Sequence, residues 1–273
     1  MPRDQAEMPF LDHLEELRRR VIWSLGALIV LSVAGFFLVT RLDVIGVLER
    51  PFHHVMPDHD LLFTSPTTPV MVTLKLSFVL GLILALPVIA YHAWAFFSPA
   101  LYEHERRFIV PAIAVGFALF LAGIAMAYFL TLPLGLQFLL GFQAESLSPI
   151  ITIDEYLRFA TRLILAFGII FEMPVVLVLL GMLGIVTPEG LRKYRRHAVV
   201  GLAVASALLT PADVGTMLML LVPMFLLYEL SIWLVKLVAG GAHRRWTVRG
   251  QAEPPAQEGD RERPEAPTAA GEL

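Results

Sequence analysis

The chain contains no cysteine, which excludes a disulfide framework and any thiolate metal site. Charge is scarce too. Asp, Glu, Lys and Arg together make up 16% of the 273 residues, against 57% hydrophobic residues. With a mean hydropathy of +0.70, the composition is too apolar for a soluble domain of this length. Sequence signals for enzymatic chemistry are also missing. "HERRF" lacks the second histidine of the H-E-x-x-H zinc motif, and the eight histidines are scattered. There is no G-x-S-x-G elbow and no glycine-rich phosphate loop. Nothing calls for a cofactor, a metal or a nucleic-acid partner.

What the sequence does contain is long apolar runs. A helix needs about 20 apolar residues to cross the hydrocarbon core of a bilayer. The runs predict an all-α integral membrane protein with six transmembrane helices, at about 21–40, 70–95, 108–132, 156–182, 198–211 and 214–236. The last two are short and separated only by "PAD". The fifth, "AVVGLAVASALLT", is nominally too short to cross, so a re-entrant hairpin competes with two short spans in a locally thinned bilayer. Two short spans are preferred, because the basic residues on both flanks then fall on one side. Residues 1–20 read as an amphipathic N-terminal segment, and residues 239–273 as a largely disordered tail rich in Pro, Glu and Ala beyond Gly250.

The basic residues set the orientation. Arg3, Arg18–Arg20, Arg106, Arg107, Arg192, Lys193, Arg195, Arg196, Arg244, Arg245 and Arg249 all fall on one alternating set of segments. The other set carries only Arg41 and Arg50. Both termini are therefore expected in the cytoplasm. "RRRVIWSLGALIV" looks like an export signal, but its apolar run is too long and five further spans follow. It reads as a permanent first helix. No repeat is evident, which counts against an inverted-repeat transporter.

Several motifs stand out against this background. Glu172 lies near the centre of "LAFGIIFEMPVVLVLLGMLG", where a carboxylate is costly and faces protein or water. It marks either a polar functional site inside the membrane or a glutamate holding two helices together. Pro174 frees a carbonyl near Ile170 and bends the helix there. Glu229 in "FLLYELSIW" is a weaker case, as easily structural. In "MPFLDHLEELRRR", Phe10, Leu14 and Leu17 share one helical face, while Glu15–Arg19 and Glu16–Arg20 form favourable i,i+4 pairs. By spacing alone this is a salt-bridged interfacial helix. "WAFFSPALYEHERR" has boundary aromatics and then Glu103 and Glu105 beside Arg106 and Arg107, an anionic pair in an arginine-dominated setting.

Taken together, these residues resemble the TatC family, the multispanning subunit of the twin-arginine protein translocase. "FLDHLEELRRR" is similar to its N-terminal signature, through His13, Leu14, Glu16, Leu17, Arg18 and Arg20. "PVIAYHAWAFFSPALYEHERR" looks like its first cytoplasmic loop, and "FGIIFEMPV" its fourth span with the embedded glutamate. "GIVTPEGLRKYRR" and "LLTPADV" match its second cytoplasmic loop and the turn between the last two spans.

The resemblance implies a cupped six-helix bundle that recruits folded proteins bearing an Arg-Arg signal peptide, for export driven by the proton motive force. It places Glu16 and Glu105 at the positions that receive the arginine pair. Arg18, Phe96, Glu103 and Arg106 belong to the same signal-peptide site, with Glu103 off the family signature. Pro51 and Asp213 are loop positions of structural or functional weight, and Glu172 is the intramembrane polar site. Two guanidiniums are best met by carboxylates in bidentate geometry, which lysine does not reproduce. The implied partners are twin-arginine signal peptides, single-span TatA and TatB-type subunits, further copies of the chain in a larger complex, and membrane lipid. Two other classes remain open. A proton-coupled secondary transporter would also use Glu172 but should show paired broken helices, and a structural scaffold would need none of the Glu16 and Glu105 chemistry.

Overall fold

The computed structural model describes residues 10–57, 59–97, 109–141, 150–209 and 214–249. Apolar runs become the long helices. These are α1 (Phe10–Arg41), α3 (Thr68–Phe97), α4 (Ile109–Met126), α6 (Ile153–Phe171) and α10 (Val214–Arg249). Shorter helices fill in the rest: α2 (Val44–Val55), α5 (Leu132–Gly141), α7 (Met173–Met182), α8 (Pro188–Lys193) and α9 (Arg195–Leu209). Among the described residues, five helical stretches are long and apolar enough to cross a membrane. Helix α9 is not among them. At 15 residues and 1.5 Å per residue it reaches about 22 Å, against about 30 Å of hydrocarbon.

Three boundaries differ from expectation. Helix α1 runs unbroken from Phe10 to Arg41, so the N-terminal amphipathic segment and the first apolar run are one helix. The third span does not stop at 132. A π-helical turn, Ala127–Thr131, joins α4 to α5, and the helix passes Pro133 to reach Gly141. The Leu132 N–H reaches back to the Ala127 carbonyl, and this wider turn accommodates the proline's missing donor. The last helix continues past 236 to Arg249.

Close backbone approach sets the packing. Helix α1 packs along α3 through small residues. A Cβ on Gly35 would meet the Ser77 carbonyl oxygen at 2.6 Å, and one on Gly81 would collide with Ser32. Small residues at such interfaces let helices approach where lipid offers no hydrophobic driving force. Helix α4 meets α6 in the same way, since a Cβ on Gly123 would meet the Phe167 carbonyl oxygen at 2.7 Å. The core between them contains Phe120, Ala127, Ala160, Leu163 and Phe167. Only 6% of the first span is buried, leaving Trp23, Ile29, Val30 and Phe37 exposed, as suits a helix that faces lipid.

Candidate functional site

The contacts of Gly35 with Ser77, and of Gly81 with Ser32, fix the antiparallel register of α1 and α3. Carried along both helices at equal rise, that register brings Glu16 to the level of Phe96. The Glu16 carboxylate is not idle there. It accepts from the Arg20 guanidinium one turn on, and both side chains are only 15% and 20% exposed. Of the two i,i+4 pairs expected, this one forms. Glu15 is exposed and makes no ion pair with Arg19 among the described residues. Arg18 is exposed, and Phe96 is half-buried at the end of α3. Glu103, Glu105, Arg106 and Asp213 lie outside the described residues.

Glu172 stands at a break. Helix α6 ends at Phe171 and α7 begins at Met173, with Pro174 in its first turn. The Glu172 N–H donates to the Ile169 carbonyl at 3.1 Å. The bend expected from Pro174 is therefore a helix junction. The carboxylate is half-buried against Gly116 of α4, where a Cβ would sit 2.9 Å from Oε2. Around it, Pro87, Ala90 and Trp94 of α3 and Ile113 of α4 enclose a cavity of about 20 Å³. That is room for a single water. Glu172 thus lies where α3, α4 and α7 meet.

Pro51 is buried inside α2, a helix not among the six expected spans. Asp43, in left-handed conformation, caps it by accepting from the Gly46 N–H. Pro51 has no N–H for the Val47 carbonyl one turn back. The Tyr128 hydroxyl donates to that carbonyl instead, at 2.7 Å, and the Tyr156 hydroxyl donates to Leu48 at 2.5 Å. Tyr128 sits in the π-helical turn, which aims it at α2. Phe52, 1% exposed, packs on the Tyr156 ring. A parallel bridge between Leu62 and Thr152 ties the following segment to the start of α6. Helix α2 is thereby fastened as a cap over one end of the bundle.

Polar contacts at both ends of the bundle were not anticipated. Lys75 of α3 donates to Asp154 of α6 at 2.6 Å, and Arg158 bonds the other carboxylate oxygen. The available signal was that Lys75 is the only Asp, Glu, Lys or Arg in the run 69–97. At the opposite end Arg195 pairs with Glu229 at 2.6 Å, and the Tyr228 hydroxyl donates to the Leu191 carbonyl. Glu229 thus ties α10 to the start of α9 through an ion pair. Among the described residues, no cluster of three or more His, Asp or Glu side chains is placed to hold a metal ion.

The family described as Sec-independent protein translocase protein (TatC) matches residues 12–223. The chain belongs to the TatC family. It is 41% identical over 232 residues to the TatC protein of Aquifex aeolicus, covering 84% of this chain and 95% of that one. To the Escherichia coli K12 TatC protein it is 37% identical over 238 residues, covering 87% and 92%. The fold agrees with a crystal structure of the twin-arginine translocase receptor TatC, at a TM-score of 0.74 and 41% identity. That match covers 83% of this chain and 99% of the solved one. A second crystal structure of that receptor, in DDM, gives a TM-score of 0.75. The TatC-family chain is thus an all-α, multi-pass protein of the inner membrane, and the family match spans Glu16, Pro51, Phe96 and Glu172 alike.

Proposed function

We propose that the chain is the signal-peptide receptor and core subunit of a twin-arginine translocase, which exports folded proteins at the expense of the proton motive force. The observation that carries this reading is the family match from residue 12 to 223, which includes both acidic stretches proposed to meet the arginine pair. Glu16 lies at the level of the α3 end from which the chain leads on to Glu103 and Glu105. Arg18, Phe96 and Arg106 complete the receptor surface. The bundle is cupped and has six spans with both termini cytoplasmic. Helix α9 is the short fifth span, made possible by local thinning of the bilayer. Residues 1–20 form the cytoplasmic segment, 21–238 the membrane domain and 239–273 the tail. Single-span TatA and TatB-type subunits pack on the concave face near Glu172, and Asp213 belongs to the turn between the last spans.

A transporter reading gains no support, because the space beside Glu172 is about 20 Å³, too small for a solute larger than water. The deciding experiment is co-purification of the membrane-extracted chain with a signal peptide carrying Arg-Arg or Lys-Lys. Retention of the Arg-Arg peptide alone supports the receptor role, and equal retention of both rejects it.

A further inference from the structure

The Lys75–Asp154–Arg158 cluster borders a groove of about 500 Å³ between α3 and α6. Its walls are apolar, formed by Leu74, Phe78, Val79 and Leu157. It shares Leu76, Val79 and Thr161 with a second apolar cavity, of about 230 Å³, that continues beneath α2 against Leu48 and Tyr128. One polar mouth thus opens onto a long apolar track.

The charges that line the groove do not cancel. Asp154 is shared by Lys75 and Arg158, so the lining itself carries one positive charge in excess, with Glu155 exposed beside it outside the lining. Despite that pairing the Lys75 and Arg158 side chains remain 58% and 60% exposed, while Asp154 is 27% exposed. Both cations therefore keep donors free for a further acceptor. Arg162, one turn along the same side of α6, is exposed and makes no ion pair among the described residues. Asp154 lies in the first turn of α6, where the apolar span begins, and this is the depth of lipid phosphates.

We propose that the α3–α6 groove is a binding site for an anionic phospholipid, with the phosphate on Lys75 and Arg158 and an acyl chain along Leu74, Phe78 and Val79. The guanidinium suits a phosphate bidentately, and the ammonium adds a point charge. Asp154 holds the two cations in place. The orientation proposed above assigns the lipid to the outer leaflet. Binding itself rests only on the chain being in a membrane, so it stands or falls apart from the receptor role.

Native mass spectrometry of the purified full chain tests this, with equal amounts of phosphatidylglycerol and phosphatidylcholine of identical acyl chains. The intact chain should retain phosphatidylglycerol about tenfold better, a difference of about 1.4 kcal/mol. Lys75→Gln with Arg158→Gln should bring the two lipids to parity. Asp154→Asn, which leaves both cations but removes their counter-charge, should raise the preference, a gain that misfolding does not produce. Equal retention of both lipids by the intact chain would mean ordinary annular lipid and would overturn the proposal. So would a preference that survives the double substitution, or one that Asp154→Asn leaves unchanged or lowers. Displacement of phosphatidylglycerol by inorganic phosphate would reveal a bare anion site and overturn the lipid assignment.

Discussion

The Tyr128 hydroxyl donates to the Val47 carbonyl at 2.7 Å, the acceptor that Pro51 leaves without its helical donor. A proline inside a helix thereby becomes an anchor point. The carbonyl it frees is captured by a different part of the chain, and α2 is held against the bundle. Tyr128→Phe should therefore loosen α2 by roughly 0.5–1.5 kcal/mol, the net value of one hydrogen bond. Faster amide exchange across Val44–Val55 would show it. Pro51→Ala restores a backbone N–H for Val47, so the Tyr128 substitution should cost less in that background. Equal effects in both backgrounds would rule out the compensation.

This cap also marks where sequence reading ends. Long apolar runs and Glu172 are local signals, and each corresponds to a feature of the fold. Helix α2 is different. Its apolar residues Val44, Ile45, Leu48, Phe52 and Val55 do recur at helical spacing, but Pro51 and the polar residues around them mask that signal in 41–69. The hydroxyl that makes the proline tolerable lies 81 positions from the Val47 carbonyl it fills. Likewise the third span was expected to end near 132, just before Pro133, whereas a π-helical turn carries it on to Gly141. The Lys75–Asp154 pair spans 79 positions, and only the odd lysine in an apolar run hinted at it. Of the proposed receptor residues, Glu16 was named by the family resemblance alone, and its spacing pointed only to the i,i+4 pair with Arg20. Its level beside Phe96 needed the glycine contacts between α1 and α3.

Gly116 makes room for the Glu172 carboxylate, since a Cβ there would lie 2.9 Å from Oε2. Gly116→Ala should push the side chain from its rotamer at a cost of roughly 1 kcal/mol and impair export of a folded substrate. Glu172→Ala should leave the protein inserted, because removing an intramembrane charge does not hinder insertion, yet export should fall further. Adding Gly116→Ala to Glu172→Ala should then do little more, as expected for two substitutions acting on one contact. Additive losses would separate the two residues. Loss of the Glu172→Ala protein from the membrane would favour a purely structural glutamate.

The absence of cysteine makes topology directly measurable. A cysteine replacing Asp60, exposed between α2 and α3, should react with an impermeant thiol reagent added to intact cells. One replacing Glu189, exposed at the start of α8, should react only after lysis. The arginine-rich ends require this arrangement by the positive-inside rule. Labelling of Glu189→Cys in intact cells would invert the proposed orientation and move the lipid groove to the inner leaflet.

The last prediction concerns Glu16, already paired with Arg20. An incoming arginine must exchange with Arg20 instead of meeting a free carboxylate, so the gain is smaller than for a bare charge. Charge-assisted hydrogen bonds contribute roughly 1.5–3 kcal/mol, and exchange leaves only part of that. Glu16→Gln should then weaken binding of an Arg-Arg signal peptide by about tenfold. Arg20→Gln removes the competitor. The pair it breaks contributes only about 0.3–0.5 kcal/mol, so binding should tighten by about twofold. In the Glu16→Gln background, Arg20→Gln should give no gain, because there is no longer a carboxylate to release. Titration of labelled peptide onto the purified chain at two salt concentrations reads all four variants, and higher salt should weaken the Glu16-dependent part. If Arg20→Gln weakens binding while Glu16 is intact, Arg20 is itself part of the receptor surface. If Glu16→Gln leaves the preference for Arg-Arg over Lys-Lys unchanged, the carboxylate that reads the signal is not this one.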